Sequence, residues 1–369
     1  MIKMGGRQSY DIDGLIKEIE QPRIKVVLCF FSVEYERFEP HRALKRAFPQ
    51  AVCVVGSMLG GWCTAGVVKK GVVALSLSAD EVEEVFSTLK EGVKTDAAKT
   101  ATEAVEDLKR KIGYRSLDPD NYLGIILSDG LALGEEIMQV LSLEAGLNLP
   151  FVGGAAADEL NFTKTLVGID NQVSADGLVL LVMKMKIPFH YNHYIHFTPT
   201  ATSMMVTKSD VKHRIIWELN GEPAAPYYAK LLGLKSMDQL TFDVFALNPV
   251  GVVSGNMVYC RSLHKVIEGS GLMSYCYIEA GTTLHLLKRG DIIADTRKTL
   301  QDGAAHLPQV QGAILFNCAH RLMELQTLNK VEAFNDAFRS IPFIGLNVYG
   351  EDLFIRHNQT LTAVFFGRY

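Results

Sequence analysis

Residues 312–321 read GAILFNCAHR, residues 341–351 read IPFIGLNVYGE and residues 357–366 read HNQTLTAVFF. Each run is rich in Val, Ile, Leu and Phe, which is typical of strands inside a sheet. Small or polar residues lie at or beyond the ends of these runs, where a rigid sheet can hold them toward a ligand. The pattern predicts a ligand site at the strand ends, formed by Asn317, Cys318, Arg321, Gly350, Glu351, His357 and Asn358.

Outward from these runs, the first half of the chain alternates strand-length apolar runs with amphipathic segments. The apolar runs predict central strands that are covered on both faces, at 25–31, 51–55, 71–77, 122–127 and 177–183. Apolar residues at helical spacing predict helices at 39–48, 80–90, 95–111 and 133–145.

Beyond Pro188 the runs become aromatic and β-branched, which predicts strands at 189–197, 203–207 and 214–219. Helices are predicted at 224–232, 296–305 and 322–339. We therefore expect an α+β (mixed α/β) fold with mostly antiparallel or mixed sheets. The expected division is two sheet-and-helix sandwich domains, at 1–187 and 188–369.

The amino-acid composition argues against some classes of function. The 369 residues are 48% hydrophobic and 21% charged, and the net charge is -4, so no basic face for nucleic acid is indicated. We find no window of about 18 to 20 apolar residues and no signal-peptide pattern, so we expect a cytoplasmic protein without membrane insertion. The six cysteines show no metal-ligand spacing and are expected to be reduced and buried.

Ordered blocks along the chain carry a resemblance to a known family. They include CTAG at 63–66, SDG at 128–130, FVGGAAAD at 151–158, IWELNGEPA at 216–224 and EAGT at 279–282. The chain resembles the FIST sensory module, an N-terminal and a C-terminal FIST domain found in microbial signalling proteins and in some F-box proteins. The resemblance implies a non-enzymatic sensor of amino acids or related metabolites. It also implies a separate partner, such as a histidine kinase or a cyclic-dinucleotide signalling protein.

The loop that follows residues 151–152 has two interpretations. Gly153 and Gly154 permit close backbone approach, so their amides could hold a carboxylate or phosphate while Asp158 receives an amine. Alternatively, the glycines allow tight packing between layers and Asp158 caps a turn.

Two arginines at predicted strand ends are candidate anion ligands. Arg321 could form a bidentate bond to a ligand carboxylate, or a structural salt bridge to Glu351. Arg261 has the same two interpretations. Cys318 lies near His320 and Arg321, which leaves open a hydrolase that uses Cys318 or Cys63 as its nucleophile.

The segment FHYNHYIHF at 189–197 has three histidines and four aromatic residues. On a strand, His190 and His196 share one face and His193 takes the other, so the three cannot form one metal site without a bend. We expect no cofactor. The alternative is haem b with one of these histidines as axial ligand, because some stand-alone FIST proteins are haem-based nitric oxide sensors that regulate a histidine kinase.

Overall fold

The computed structural model of the protein describes residues 2–132, 134–143, 147, 149–255 and 257–368. Its helices are Ile12–Ile19 (α1), Pro40–Ala47 (α2), Ala97–Ile112 (α3), Gly134–Leu143 (α4), Ala224–Leu231 (α5), Phe242–Leu247 (α6), Ile292–His306 (α7), Ala319–Thr327 (α8) and Val331–Ala337 (α9). Short 3-10 helices lie at Val33–Phe38 and Met237–Gln239.

The strands of the first half are Lys3–Arg7 (β1), Ile24–Phe31 (β2), Val52–Ser57 (β3), Gly61–Cys63 (β4), Gly66–Val68 (β5), Val72–Ser78 (β6), Val82–Glu91 (β7), Tyr122–Ser128 (β8), Phe151–Ala155 (β9), Val167–Ile169 (β10), Gln172–Ser174 (β11) and Gly177–Met185 (β12). Those of the second half are Phe189–Tyr194 (β13), Phe197–Asp210 (β14), Ile215–Leu219 (β15), Glu222–Pro223 (β16), Val250–Ser254 (β17), Met257–Arg261 (β18), Leu263–Ile267 (β19), Gly271–Ser274 (β20), Thr283–Arg289 (β21), Val310–Cys318 (β22), Phe343–Val348 (β23), Gly350–Leu353 (β24), Ile355–His357 (β25) and Leu361–Gly367 (β26).

Three six-stranded sheets pack around one apolar core. Their strand orders are β1-β6-β2-β3-β10-β11 (sheet 1), β25-β24-β9-β8-β12-β7 (sheet 2) and β13-β26-β22-β23-β4-β5 (sheet 3). Each contains a parallel pair, namely β2 with β3, β8 with β9 and β22 with β23, and is otherwise antiparallel. The core that they share includes Phe30, Leu181 and Phe316, one from each sheet. The predicted α+β fold with mixed sheets is confirmed.

Helices cover the outer face of each of these sheets. Because side chains alternate along a strand, Phe30 of β2 faces the shared core while Phe31 faces α1 and α2. Helices α3 and α4 cover sheet 2 in the same way. Helices α7, α8 and α9 cover sheet 3. Strands buried on both faces explain the continuous apolar runs of the sequence.

A fourth sheet, with the order β18-β17-β21-β14-β15-β20-β19, packs against α5 and α6. Its core residues, among them Tyr228 and Phe245, form a separate cluster. The fourth sheet adds a further layer beside sheets 2 and 3.

Strands from both halves of the chain are interleaved. The hairpin of β4 and β5 pairs with β23, and β24 pairs with β9. The division into 1–187 and 188–369 stays a prediction, and the interleaving brings the ends of sheets 2 and 3 together.

Two predicted helices differ from the structure. Residues 80–90, predicted as a helix, form strand β7, which pairs with β12 at the edge of sheet 2. Residues 322–339 form two helices instead of one, and Asn329 between them has φ 54°. Helix 133–145 corresponds to α4, and residues 133 and 144–146 lie outside the described part of the chain.

Among the described residues, we find no helix that combines the length and the apolar character needed to cross a lipid bilayer.

Candidate ligand-binding site

A cavity of about 190 Å³ lies where the ends of sheets 2 and 3 meet the fourth sheet. Chain segments that are distant in sequence supply its walls. They are Gly130, Leu131, Ala132, Glu135, Leu160, Phe162, Arg214, Phe242, Tyr275, Cys318, Ala319, His320, Tyr349, Arg356 and Asn358.

Arg356 and Asp352 form a bidentate ion pair in one wall. Arg356 Nε lies 2.5 Å from Asp352 Oδ1, and Nη2 lies 2.9 Å from Oδ2. Nη2 also donates to Ser128 Oγ at the end of β8, at 3.2 Å. Burial raises the pKa of Asp352 to about 6, and the Arg356 charge opposes that rise. Among the described residues, Nη1 makes no hydrogen bond, so this donor is left for a ligand acceptor.

Two glycines make room for the Arg356 side chain. A Cβ on Gly134, at the start of α4, would lie 2.1 Å from the guanidinium carbon, and a Cβ on Gly350 would lie 2.8 Å from Arg356 Cδ. Any larger residue at either position would displace the guanidinium. The two glycines therefore leave space for the guanidinium, and its bonds to Asp352 and Ser128 hold it there, as a preorganised anion site requires.

A second arginine–carboxylate pair lines the cavity. Arg214 Nη2 donates to Glu135 Oε2 at 2.5 Å, and the Tyr277 amide donates to Glu135 Oε1 at 3.2 Å. The Arg214 guanidinium carbon also lies 5.3 Å from the centre of the Tyr277 ring, within cation–π range. The cavity thus has positive and negative groups on its walls.

Three buried polar atoms in the cavity wall have no hydrogen-bond partner among the described residues, namely Arg214 Nε, His320 Nε2 and Asn358 Oδ1. Asn358 Nδ2 donates to the His357 carbonyl at 3.0 Å, which fixes the amide with its oxygen unpaired. The rings of Phe242 and Tyr275 each lie 5.0 Å from the His320 ring. Burial lowers the pKa of His320 to about 3, so the imidazole is neutral. An unpaired buried polar atom costs about 1–3 kcal/mol, and a polar ligand would remove that cost.

Cys318 ends β22 at the cavity, with Glu351 behind it. Burial raises the pKa of the Cys318 thiol well above its usual value, and the nearby Glu351 carboxylate adds to the rise. Burial also raises the pKa of Glu351 to about 8. Glu351 Oε2 accepts hydrogen bonds from the amide and the hydroxyl of Thr360, at 3.2 and 2.6 Å. Cys318 is therefore a protonated thiol near neutral pH.

The loop after β9 forms the aromatic wall, and Asp158 holds it. Asp158 accepts from the amides of Phe162 and Thr163, at 3.1 and 2.9 Å, and from the Tyr349 hydroxyl. Burial favours the neutral acid, but these hydrogen bonds together lower the pKa of Asp158. The Phe162 ring stacks on the Tyr349 ring at 4.8 Å.

Six of the eleven predicted ligand residues lie in or directly behind the cavity. Cys318 and Asn358 line it, whereas Asp158, Gly350 and Glu351 support lining residues. Asn317, next to Cys318, donates to the Cys318 carbonyl at 3.2 Å.

Gly153 and Gly154 lie beneath the cavity, within β9, and pair with Asp352 and Glu351. A Cβ on Gly153 would lie 1.9 Å from the Ile126 carbonyl oxygen, and one on Gly154 would lie 2.7 Å from the Gly350 carbonyl oxygen. Their structural role is close packing between strands.

The remaining three predicted residues are outside the cavity lining and contact other groups. Arg321 is fully buried and donates to Asn317 Oδ1 at 3.0 Å and to Thr296 Oγ1 at 3.2 Å, and its Nη1 lies 2.7 Å from His196 Nδ1. Arg261, half-buried at the end of β18, donates to the Cys260 carbonyl at 3.3 Å. The His357 ring stacks on the His193 ring at 4.2 Å, and its Nε2 lies 3.0 Å from the Leu353 carbonyl oxygen.

The three histidines of the haem alternative make separate contacts. His190 Nε2 lies 3.0 Å from Asp302 Oδ2, and His193 stacks on His357. His196 has Glu324 Oε2 2.8 Å from Nε2 and Arg321 Nη1 2.7 Å from Nδ1, so both of its ring nitrogens are engaged. As placed, His196 does not fit an axial ligand of haem iron, and the haem alternative stays a prediction.

Sequence reasoning missed Arg356, Asp352, Glu135 and Arg214. A signal for the first pair was present: Asp352 and Arg356 are charged residues between two strongly apolar runs, and buried charges need partners. Nothing comparable pointed to Glu135 and Arg214, because their pairing spans 79 residues of sequence.

Comparison with known proteins supplies the family. The FIST N domain model matches residues 25–222, and the FIST C domain model matches residues 224–352. The uncharacterized protein MJ1623 of Methanocaldococcus jannaschii is 29% identical over 189 residues, which are 47% of this chain and 36% of that protein. The chain therefore spans only about a third of that relative.

A chorismatase crystal structure aligns with 99% of this chain and 98% of its own, at 8% identity and a TM-score of 0.34. A likeness this weak carries no argument about function. The two family models cover most of the chain, and the protein belongs to the FIST family of sensory domains.

Proposed function

We propose that the protein is a sensor that binds an amino acid or a related small metabolite in the cavity beside Arg356. It then signals through a separate protein in the cytoplasm, such as a histidine kinase or a cyclic-dinucleotide signalling protein. The observation that supports this most strongly is that Arg356 Nη1, Asn358 Oδ1 and His320 Nε2, from three residues that line the cavity, make no hydrogen bond among the described residues.

The cavity chemistry suits a zwitterion. Arg356 offers a donor for a carboxylate. Asn358 Oδ1 and the Glu135 carboxylate offer acceptors for an ammonium group, and Leu131, Leu160 and Phe162 offer apolar surface for a side chain. A cavity of about 190 Å³ holds roughly six waters at about 30 Å³ each, which is the size of a small amino acid.

The protonation state of Cys318 favours a binding function over a catalytic one. A cysteine nucleophile needs a thiolate, and burial here holds the Cys318 pKa far above neutral pH. The neutral His320 is also a weak base, since burial lowers its pKa to about 3.

The test is a thermal-shift screen of the purified protein with the natural amino acids, followed by calorimetric titration of each hit. Every hit is compared with its analogue lacking the amine and its analogue lacking the carboxylate. We expect both analogues to bind more weakly than the parent amino acid. If no amino acid or small carboxylate stabilises the protein, the proposal is wrong.

A matched pair of asparagine variants assigns binding to the cavity. Asn358→Leu removes the unpaired acceptor and should abolish the thermal shift caused by the hit. Asn335, on α9, is also a buried asparagine whose side chain makes no hydrogen bond among the described residues, and it does not line the cavity. Asn335→Leu should leave the ligand-induced shift intact; equal losses in both variants would contradict a site at Asn358.

A further inference from the structure

A second group of donor atoms lies where β13 packs against α7, away from the cavity. His190 belongs to β13, and Asp302 and His306 stand one turn apart on α7. One ligand atom from each of the three lies within 4.8 Å of the others. We propose that these side chains bind a divalent transition-metal ion of the Zn²⁺ class, which would join β13 to α7.

The spacing of the donor atoms fits such an ion. His190 Nε2 lies 3.0 Å from Asp302 Oδ2, and His306 Nδ1 lies 3.4 Å from Asp302 Oδ1. In a tetrahedral site with metal–ligand bonds of about 2.0–2.2 Å, neighbouring ligand atoms are about 3.3 Å apart. The two backbone elements therefore already stand at the separation that the ion requires.

Neighbouring residues orient the carboxylate. The Tyr194 hydroxyl donates to Asp302 Oδ2 at 2.6 Å, and Asn192 Nδ2 donates to the same oxygen at 3.3 Å. Both contacts are to Oδ2, so they orient the carboxylate with its other oxygen, Oδ1, toward His306. Hydrogen bonds of this kind fix ligand geometry in metal sites and raise metal affinity.

One side chain must turn to complete the site. The His190 and His306 rings stack at 4.0 Å with an interplanar angle of 2°, and parallel rings cannot both point a nitrogen at one ion. The His306 side chain is 53% exposed, and turning it toward the ion would replace the 2.9 Å contact between its Nδ1 and the Asp302 carbonyl oxygen. Two imidazoles and one carboxylate suit Zn²⁺ better than Mg²⁺ or Ca²⁺, and a fourth position remains for water.

The test is calorimetric titration of Zn²⁺ into the tag-free protein after chelator treatment. We expect one Zn²⁺ per chain at this site. His306→Gln removes one of the three ligands at an exposed position, where folding should tolerate the change. It should weaken the Zn²⁺ affinity more than about 100-fold, because losing a ligand costs more than losing a residue that only orients one. Tyr194→Phe should weaken it about tenfold, because the carboxylate loses one such partner.

His213→Gln is the matched control. His213 forms an exposed pair with Asp210, three residues before it, whose Oδ2 lies 2.7 Å from Nδ1, in the turn between β14 and β15. This change should leave the Zn²⁺ affinity unaltered. Absence of Zn²⁺ binding by the unmodified chain, or equal affinities in the His306→Gln and His213→Gln variants, would overturn the proposal.

Discussion

Arg356 and Asp352 lie four residues apart, on either side of the turn between β24 and β25, and form a buried bidentate ion pair with contacts of 2.5 and 2.9 Å. Asp352 is inaccessible to solvent, whereas Arg356 retains an edge in the cavity wall. The pair thus connects the packing of sheet 2 to the proposed ligand site.

Breaking this pair should destabilise the fold strongly. Arg356→Ala leaves the Asp352 carboxylate buried without its partner, and we expect a loss of about 3–5 kcal/mol in the free energy of unfolding. The exposed pair of Arg23 and Asp80 is the control, and Arg23→Ala should cost less than about 1 kcal/mol. Urea unfolding of both variants measures the difference; equal costs would contradict a buried, structurally important pair.

Glu351 should make stability depend on pH. Burial raises its pKa from 4.5 to about 8, so the folded protein holds a proton that the unfolded chain releases. The stabilisation is complete below pH 4.5 and is lost as the pH rises toward 8, by up to about 1.4 kcal/mol per pH unit. Glu351→Gln cannot ionise, so its stability relative to the unmodified protein should rise from pH 5 to pH 8 in urea unfolding. A constant difference over that range would show that the Glu351 pKa is not raised.

Replacing His320 should raise the stability of the ligand-free protein and weaken ligand binding. His320→Phe removes an unpartnered buried nitrogen and keeps a ring between Phe242 and Tyr275. We expect the ligand-free protein to gain about 1 kcal/mol and to bind its amino acid more weakly. Thermal unfolding with and without ligand separates the two effects, and a less stable variant would mean that His320 Nε2 has a partner.

Cys318 should be an unreactive thiol in the folded protein. It is buried, and its pKa lies well above the usual value because of that burial. Iodoacetamide at neutral pH should label Cys318 far more slowly in the native protein than in urea, as measured by mass spectrometry of tryptic peptides. Native labelling as fast as that of a free thiol would revive the hydrolase alternative.

The sequence predicts the layered architecture well where strands are buried on both faces. Continuous apolar runs such as residues 177–183 predict a strand covered on both faces, and the structure places this run between β8 and β7 in sheet 2. The incorrect prediction of a helix at residues 80–90 rests on the helical spacing of Val82, Val85, Phe86 and Leu89. Pairing with β12, at the edge of sheet 2, outweighs that local preference. Strand formation depends more on such pairing and packing than on the local sequence.

The site could be predicted only in part, because it depends on how distant strand ends meet. Cys318 and Asn358 are found from strand ends alone, and both line the cavity. Arg321 was the more attractive arginine by position, yet one helical turn of α8 carries it into a network with Asn317 and His196. No sequence pattern shows that the Arg321 side chain points away from the cavity whereas the Arg356 side chain lines it.

The most direct test of the ligand site is calorimetric titration of the tightest-binding amino acid into Arg356→Gln/Asp352→Asn. This double change removes both charges together, so no unpaired charge stays buried. Loss of a charged hydrogen bond of about 1.5–3 kcal/mol should weaken the affinity roughly 10- to 100-fold. Arg261→Gln, outside the cavity, should bind as the unmodified protein does. Undiminished affinity in a folded double variant would contradict the claim that Arg356 holds the ligand.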